Sequence, residues 1–98
     1  MAKYQLTKLA VNDLSEIWEY TYETWSEGQA DKYYNLLLNA FESLAKKPKQ
    51  GKIYDEISDE ILCKRVSRHL IFYRELKDQH IEIIRILHES MDLKNQFQ

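Results

Sequence analysis

The chain has 98 residues, enough for one domain with a single core but too few for two. Hydrophobic residues make up 44% of it and aromatic residues 12%, which excludes an intrinsically disordered segment. The formal net charge of −2 and the isoelectric point of about 5.9 exclude a protein that coats nucleic acid through many phosphate contacts. We therefore expect residues 1–98 to form one globular domain.

No segment of the sequence predicts export or membrane insertion. The first ten residues lack the long apolar core of a signal peptide, and no stretch approaches the length that spans a membrane. The single cysteine, Cys63, lies in an apolar strand pattern, which predicts a buried thiol in a reducing compartment. The histidines lack the spacing of metal ligands, so we predict a cytoplasmic protein with no metal and no cofactor.

The first predicted elements are a strand over residues 3–7 and a helix after it. Tyr4 and Leu6 alternate with polar residues in the strand, and Thr7 can cap the helix. We place the acidic side chains Asp13, Glu16, Glu19 and Glu23 on the solvent side. Apolar residues and one threonine recur at helical spacing: Ala10, Leu14, Ile17, Trp18, Thr21 and Trp25.

A second helix is predicted to follow at once, which makes a helical hairpin. Ser26 and Gln29 form a capping-box pattern, and Glu27 suits the positive end of the helix dipole. The helix should end before Pro48, which cannot continue it. Its apolar stripe comprises Ala30, Tyr33, Tyr34, Leu37, Leu38, Phe41, Leu44 and Ala45.

After Pro48 the hydrophobic period changes from 3.6 to 2, which predicts strands over residues 61–66, 70–76 and 81–88. Their short connections require antiparallel pairing. The last strand is apolar at both parities, so we expect it to be central and covered on both faces. We group Ile81, Ile83 and Leu87 on one face, together with Arg85, and Ile84 with Ile86 on the other.

The predicted fold class is α+β: an N-terminal strand, a helical hairpin and an antiparallel three-strand meander, with the helices packed on one face of the sheet. Only residues 89–98 remain to cover the second face. We therefore expect an exposed apolar surface there, which is typical of a protein-binding site.

Charge is distributed unevenly along the chain. Residues 1–45 hold three lysines against seven acids, a net charge of −4, and residues 46–98 hold eleven basic residues against nine acids, a net charge of +2. All four arginines and all three histidines lie in residues 65–92: Arg65, Arg68, Arg74, Arg85, His69, His80 and His88. Arginine and histidine on a rigid sheet can grip a phosphate, a carboxylate or another protein.

The order of elements and four motifs resemble the toxins of the RelE/ParE superfamily. The motifs are LTKLAVNDLSEIWEY, SLAKKPKQGK, RVSRHLIFYR and IIRILHESMD, and the resemblance covers nearly the whole chain. HLIFYR with IRILHESMD resembles the ParE branch in particular. The resemblance implies a toxin of a type II toxin–antitoxin system that binds DNA gyrase, blocks replication and is neutralised by a ParD-like antitoxin.

RelE-type toxins share the fold but cut messenger RNA on the ribosome, so fold alone does not choose between the two activities. RNA cleavage needs a base, an acid and cations that balance phosphate charge. Arg65 and Arg85 could supply the charge, and His88 or Glu89 the acid–base function. Against this, no tyrosine follows Tyr73, whereas the endonucleases commonly carry one near the C-terminus, and the chain is not basic. We therefore favour a non-enzymatic gyrase inhibitor over an endonuclease.

A third alternative is an inactive toxin relic that only binds the antitoxin. For Arg85 two interpretations also remain open: a buried ion pair with a glutamate of the helix, or a role in binding a partner. We expect the antitoxin to lay an amphipathic helix along the hairpin stripe and to extend onto the sheet. The predicted gyrase-binding residues are Arg65, Arg68, His69, Arg74, His88, Met91, Asp92 and Leu93. The predicted antitoxin-binding residues are Leu14, Trp18, Trp25, Tyr33, Leu37, Phe41 and Tyr73.

Overall fold

The structure of the protein is a computed structural model that describes residues 3–97, apart from the side chain of Lys94. Two single turns of 3-10 helix, Pro48–Gln50 and Lys77–Gln79, connect some of its regular elements. These elements are β1 (Lys3–Leu6), α1 (Lys8–Thr24), α2 (Glu27–Lys46), β2 (Lys52–Ile53), β3 (Leu62–Val66), β4 (His69–Glu75), β5 (His80–His88) and α3 (Leu93–Gln96). The predicted α+β class is confirmed.

The strands form one sheet in the order β1-β5-β4-β3-β2. Strands β3, β4 and β5 are the predicted antiparallel meander, and β5 is an interior strand, as expected, with β1 on one side and β4 on the other. Strand β1 pairs in parallel with β5, a pairing that the sequence analysis did not predict. The short edge strand β2 was also missed, because its two residues, Lys52 and Ile53, carry no alternating pattern.

Side-chain caps fix the ends of the hairpin helices. The Thr7 hydroxyl accepts a hydrogen bond from the backbone N–H of Ala10 at 3.1 Å and donates one to the carbonyl of Ile84 at 2.7 Å. It therefore ties the start of α1 to β5. The Ser26 hydroxyl accepts a hydrogen bond from the N–H of Gln29 at 3.1 Å, as predicted. Helix α2 ends at Lys46, just before Pro48.

A β-bulge in β5 changes which residues face the hairpin. Arg85 pairs with Phe72, but the next pair joins Ile83 to Tyr73, so one extra residue is inserted in β5. The alternation of faces is inverted beyond this point. Ile86 therefore joins Ile81 and Ile83 in the core cluster beneath the hairpin. The predicted grouping of Leu87 with Ile81 and Ile83 was wrong for this reason.

The core lies between the helical hairpin and the sheet. Its fully buried members come from both layers: Ala10, Leu37, Phe41, Ile71, Tyr73, Ile81 and Ile83. The hydroxyl of Tyr73 donates a hydrogen bond to the carbonyl of Pro48 at 2.7 Å. A Cβ atom on Gly51 would lie 2.1 Å from the same hydroxyl, so this turn requires glycine.

The second face of the sheet is covered, which corrects the prediction of an exposed apolar surface. Phe72 alternates with core residues along β4 and is 0% exposed. Its ring meets the rings of Phe97 at 4.9 Å and Tyr54 at 5.3 Å between centroids. The C-terminal segment and the acidic loop before β3 are thus long enough to shield this face.

Two residues predicted in the first helix lie opposite to their predicted positions. Trp25, predicted in the core stripe, is 74% exposed, because α1 ends at Thr24 and the chain turns away. Asp13, predicted on the solvent side, is only 8% exposed.

No helix within residues 3–97 is long and apolar enough to cross a membrane.

Candidate functional site

The junction of α1 with β5 is closed by a buried ion pair. The Asp13 carboxylate accepts hydrogen bonds from Arg85 Nε at 2.8 Å and Arg85 Nη2 at 2.9 Å. It also accepts one from the backbone N–H of Ile86 at 3.0 Å, because β1 pairs with β5 only as far as Ile83 and leaves this donor open. The hydrogen bonds that Arg85 makes to Asp13 hold the pKa of Arg85 above its usual value.

Beyond this junction α1 and β5 diverge and leave a cavity of about 710 Å³, which we call the α1–β5 cleft. Its hairpin wall includes Glu16, Tyr20, Trp25 and Tyr33. Its opposite wall is formed by the β3–β4 turn, the start of β4, the end of β5 and the turn that follows β5. Four residues predicted to bind gyrase lie on that second wall: Arg68, His69, His88 and Met91.

His69 lies on the second wall of the cleft and contacts residues of both walls. Its Nδ1 atom lies 2.6 Å from the hydroxyl of Tyr33, and its ring meets that of His88 edge-on at 5.3 Å between centroids. Burial, and then the nearby His88, lower the pKa of His69 to about 4. His69 is therefore neutral at pH 7 and joins the helix to the sheet rather than carrying charge.

The segment after β5 forms a compact turn beside the cleft. The Nδ1 atom of His88 lies 2.7 Å from the hydroxyl of Ser90 and accepts a hydrogen bond from the Ser90 N–H at 3.1 Å. The backbone N–H of Glu89 donates to the carbonyl of Arg68 at 3.0 Å. Met91, at the rim, is 46% exposed. The two loops at this end of the sheet are thus tied together.

The four arginines differ in their partners. Arg65 pairs with Glu89 at 2.6 Å, Arg74 with Glu82 at 2.8 Å, and Arg85 with Asp13. Within residues 3–97, Arg68 takes part in none of the ion pairs, and it is exposed at the cleft rim. Arg68 is therefore the arginine best placed to meet a partner. Arg85 is structural, as one of the two sequence interpretations held, but its partner is an aspartate.

The predicted gyrase-binding set is divided by the structure. Arg65 is linked to the four cleft residues by its ion pair with Glu89, whose backbone N–H bonds the carbonyl of Arg68. Asp92 and Leu93 lie at the start of α3, where the Asp92 carboxylate accepts a hydrogen bond from Asn95 at 2.6 Å. Arg74 lies five residues along β4 from His69, roughly 17 Å away at about 3.3 Å per residue. It belongs to the opposite end of the sheet.

The predicted antitoxin-binding set is divided by burial. Leu14, Leu37, Phe41 and Tyr73 are at most 7% exposed, because they fill the core between hairpin and sheet, so they offer almost no surface to a partner. Trp18 and Tyr33 are half-buried and Trp25 is exposed. The sequence analysis missed three further exposed aromatic residues of the hairpin: Tyr20, Tyr22 and Tyr34.

The sequence analysis placed Asp13 on the solvent side, but the spacing of Asp13 from its apolar neighbours indicates that it is buried. It lies three residues after Ala10 and four before Ile17, both of which face the core. A carboxylate at such a position on a helix is expected to be buried and paired.

Among the described residues, no group of three histidine, cysteine or acidic side chains could hold a metal ion.

Comparison with known proteins identifies the family. Residues 4–93 match the model of the ParE toxin of the type II toxin–antitoxin system parDE. The chain is a member of the ParE toxin family. Toxin ParE1 of Mycobacterium tuberculosis is 34% identical to it over 92 residues, which cover 94% of each chain. Toxin ParE1 of Caulobacter vibrioides is 32% identical over 94 residues, 96% of each chain.

A solved structure agrees with the fold of this toxin. The chromosomal ParDE toxin–antitoxin system from P. aeruginosa contains a chain that superposes with a TM-score of 0.75, covering 90% of this toxin and 96% of that chain. At 19% identity, this likeness establishes the fold alone. The assignment to the ParE branch made from the sequence motifs is confirmed by the family match and by the two relatives.

Proposed function

We propose that this ParE toxin inhibits DNA gyrase by binding it as a protein, without catalysing a reaction. The observation that carries the proposal is the cleft rim, where Arg68 is exposed and free of ion pairs among the described residues, beside Met91 and across the cleft from Trp25. Arginine, methionine and tryptophan are enriched in protein interfaces, and desolvated arginine and aromatic residues carry much of the binding energy there.

The state of the other arginines favours protein docking over RNA cleavage. The two that could balance phosphate charge, Arg65 and Arg85, are each bound to a carboxylate. Glu89, a possible acid or base, is itself the partner of Arg65. An endonuclease would have to break these pairs before it could stabilise a phosphorane-like charge, whereas a protein partner needs only the exposed rim.

Neutralisation follows from the same geometry. A ParD-like antitoxin that lies along α1 would cover Tyr20 and Trp25, which form the hairpin wall of the cleft. The residues that we assign to gyrase binding lie on the facing wall. A single antitoxin segment would therefore close the cleft by steric exclusion, without any change in the fold of the toxin.

The test is a gyrase supercoiling and DNA-cleavage assay with the purified toxin and two arginine variants. Arg68→Ala should raise the half-inhibitory concentration at least about tenfold, because it removes a central contact worth roughly 1.4 kcal/mol or more. Arg74→Ala is the matched control. Arg74 is exposed like Arg68, but it lies near the other end of β4, at the far end of the sheet. Inhibition by Arg74→Ala should stay at the wild-type level.

Three results would contradict the proposal. Wild-type toxin that leaves gyrase active at micromolar concentration, but produces codon-specific cuts on translating ribosomes, would establish the endonuclease alternative. Equal loss of inhibition in Arg68→Ala and Arg74→Ala would remove the cleft rim from the interface. Absence of growth arrest on induction would establish the inactive relic.

A further inference from the structure

The hairpin surface of the toxin carries a one-sided charge that the gyrase proposal does not use. Residues 9–31 contain six acidic residues and no lysine, arginine or histidine, together with four aromatic residues. Of the six acids, only Asp13 is buried and paired with an arginine. The other five are exposed: Glu16, Glu19, Glu23, Glu27 and Asp31.

Three of these acids form a ridge along α1, which we call the acidic crest: Glu16, Glu19 and Glu23. Spacings of three and four residues place them on one face of the helix, and all three are exposed. On one side of the crest, Glu16 and Tyr20 line the α1–β5 cleft. On the other side, Glu19 borders a groove of about 390 Å³ between α1 and α2.

Aromatic rings flank the crest on both sides. In the groove between the helices, Trp18 stacks on Tyr22 with 5.2 Å between centroids and 13° between the planes. Its indole Nε1 donates a hydrogen bond to Asp31 at 3.1 Å, which fixes the ring beside a carboxylate. On the cleft side, Tyr20 is 68% exposed and Trp25 74% exposed. A row of carboxylates between aromatic faces is suited to guanidinium groups, which bond carboxylates bidentately and stack on rings.

We infer that the acidic crest receives an arginine-bearing amphipathic helix of the antitoxin. This inference rests on the proposed antitoxin function and adds the chemistry of the partner. The partner segment binds as a helix because α1 and α2, of 17 and 20 residues, satisfy their backbone groups internally and offer no strand edge. Its cationic side chains recur at helical spacing, opposite the crest.

The experiment uses the full-length toxin and the full-length product of the adjacent reading frame, with binding measured by isothermal titration calorimetry at 50 and 500 mM salt. The crest variant carries Glu16→Gln, Glu19→Gln and Glu23→Gln. The matched control carries Asp55→Asn, Asp59→Asn and Glu60→Gln, which removes three exposed charges from the loop before β3. Both variants change the net charge by the same amount.

The crest variant should bind at least about tenfold more weakly at 50 mM salt, with a smaller dependence on salt, because the removed contacts are electrostatic. The loop variant should bind as the wild type does. Replacing the arginines of the partner helix with lysine should weaken binding to the wild type but not to the crest variant, since lysine loses bidentate bonding and stacking.

The possible failures are distinguishable. Wild-type toxin that does not bind the adjacent gene product at all overturns both the antitoxin function and this inference. Tight binding that the crest variant retains within twofold, at both salt concentrations, overturns the inference alone. Self-association of the isolated toxin that disappears in the crest variant would assign the surface to a second copy of this chain and would also overturn the inference.

Discussion

Helix α1 and strand β5 meet in two very different ways along their shared length. Near the start of α1, Asp13 binds Arg85 and the backbone of Ile86, and the two elements are closed against each other. Farther along α1 the same elements separate and leave a cleft of about 710 Å³. The closed end of the junction contributes stability, whereas the open end leaves side chains exposed to solvent, where we propose that a partner binds.

The largest expected effect comes from breaking the closed end. Asp13→Ala removes three hydrogen bonds. It leaves the Ile86 N–H without its partner and the Arg85 guanidinium without a counter-charge, held only by its hydrogen bond to the Gln96 carbonyl at 3.1 Å. We expect the free energy of unfolding to fall by about 3–5 kcal/mol, as measured by urea denaturation, since an uncompensated buried charge is costly. Glu89→Ala, which breaks the exposed pair with Arg65, should cost less than ~1 kcal/mol. Equal effects in the two variants would contradict the assignment of the closed end.

A smaller effect should appear with pH, from His69 on the second wall of the cleft. In the folded protein His69 stays neutral down to its pKa of about 4, whereas its ordinary value is 6.5. The unfolded chain therefore binds more protons between these values, so the stability present above pH 6.5 is lost as the pH falls toward 4. We expect a loss of about 2 kcal/mol, after allowance for the partial exposure of the ring.

The contribution of His69 is isolated by comparing the wild type with His69→Gln. Both proteins contain the same carboxylates, so the difference between their urea-denaturation profiles from pH 7.5 to 4 removes the common acid titration. The wild type should lose more stability over this range than the variant. Parallel profiles would show that burial and the nearby His88 do not hold His69 neutral.

The smallest expected effect on stability is at the rim of the open end. Trp25→Ala should change the free energy of unfolding by no more than ~0.5 kcal/mol, because the side chain is 74% exposed. Phe41→Ala, in the same hairpin but 0% exposed, should cost about 3–5 kcal/mol. Despite its normal stability, Trp25→Ala should weaken antitoxin binding at least about tenfold by calorimetry. A strong loss of stability in Trp25→Ala would place this residue in the core and would contradict the comparison.

Much of the fold followed from local patterns. The helical stripes, the caps at Thr7 and Ser26, the stop at Pro48 and the three antiparallel strands all depend on residues close together in sequence. The parallel pairing of β1 with β5 did not follow, since its partners lie 77 residues apart, as Lys3 and His80 do. The strand β2 did not follow either, because its two residues carry no alternating pattern. Motif similarity identified the ParE branch, because the family's pattern extends over residues 4–93.

The candidate site was only half predictable. The Arg65–Asp92 segment directed attention to the end of the sheet where Arg68, His69, His88 and Met91 line one cleft. It also included Arg74, because sequence proximity does not reveal that one strand carries its ends to opposite sides of the molecule. The hairpin residues predicted to bind antitoxin include several that are buried, since a helical stripe marks the buried face of a helix and a partner contacts the exposed face.

The sequence by itself determined the elements, their order, the family and the unequal charge of the two halves, since composition and short-range periodicity carry that information. The tertiary structure alone decided which charged side chains form ion pairs within the molecule and which stay exposed to solvent. A single inserted residue in β5 and the end of β1 at Leu6 bring Asp13 to Arg85 and Ile86. Such pairing depends on three-dimensional register, which no local pattern encodes.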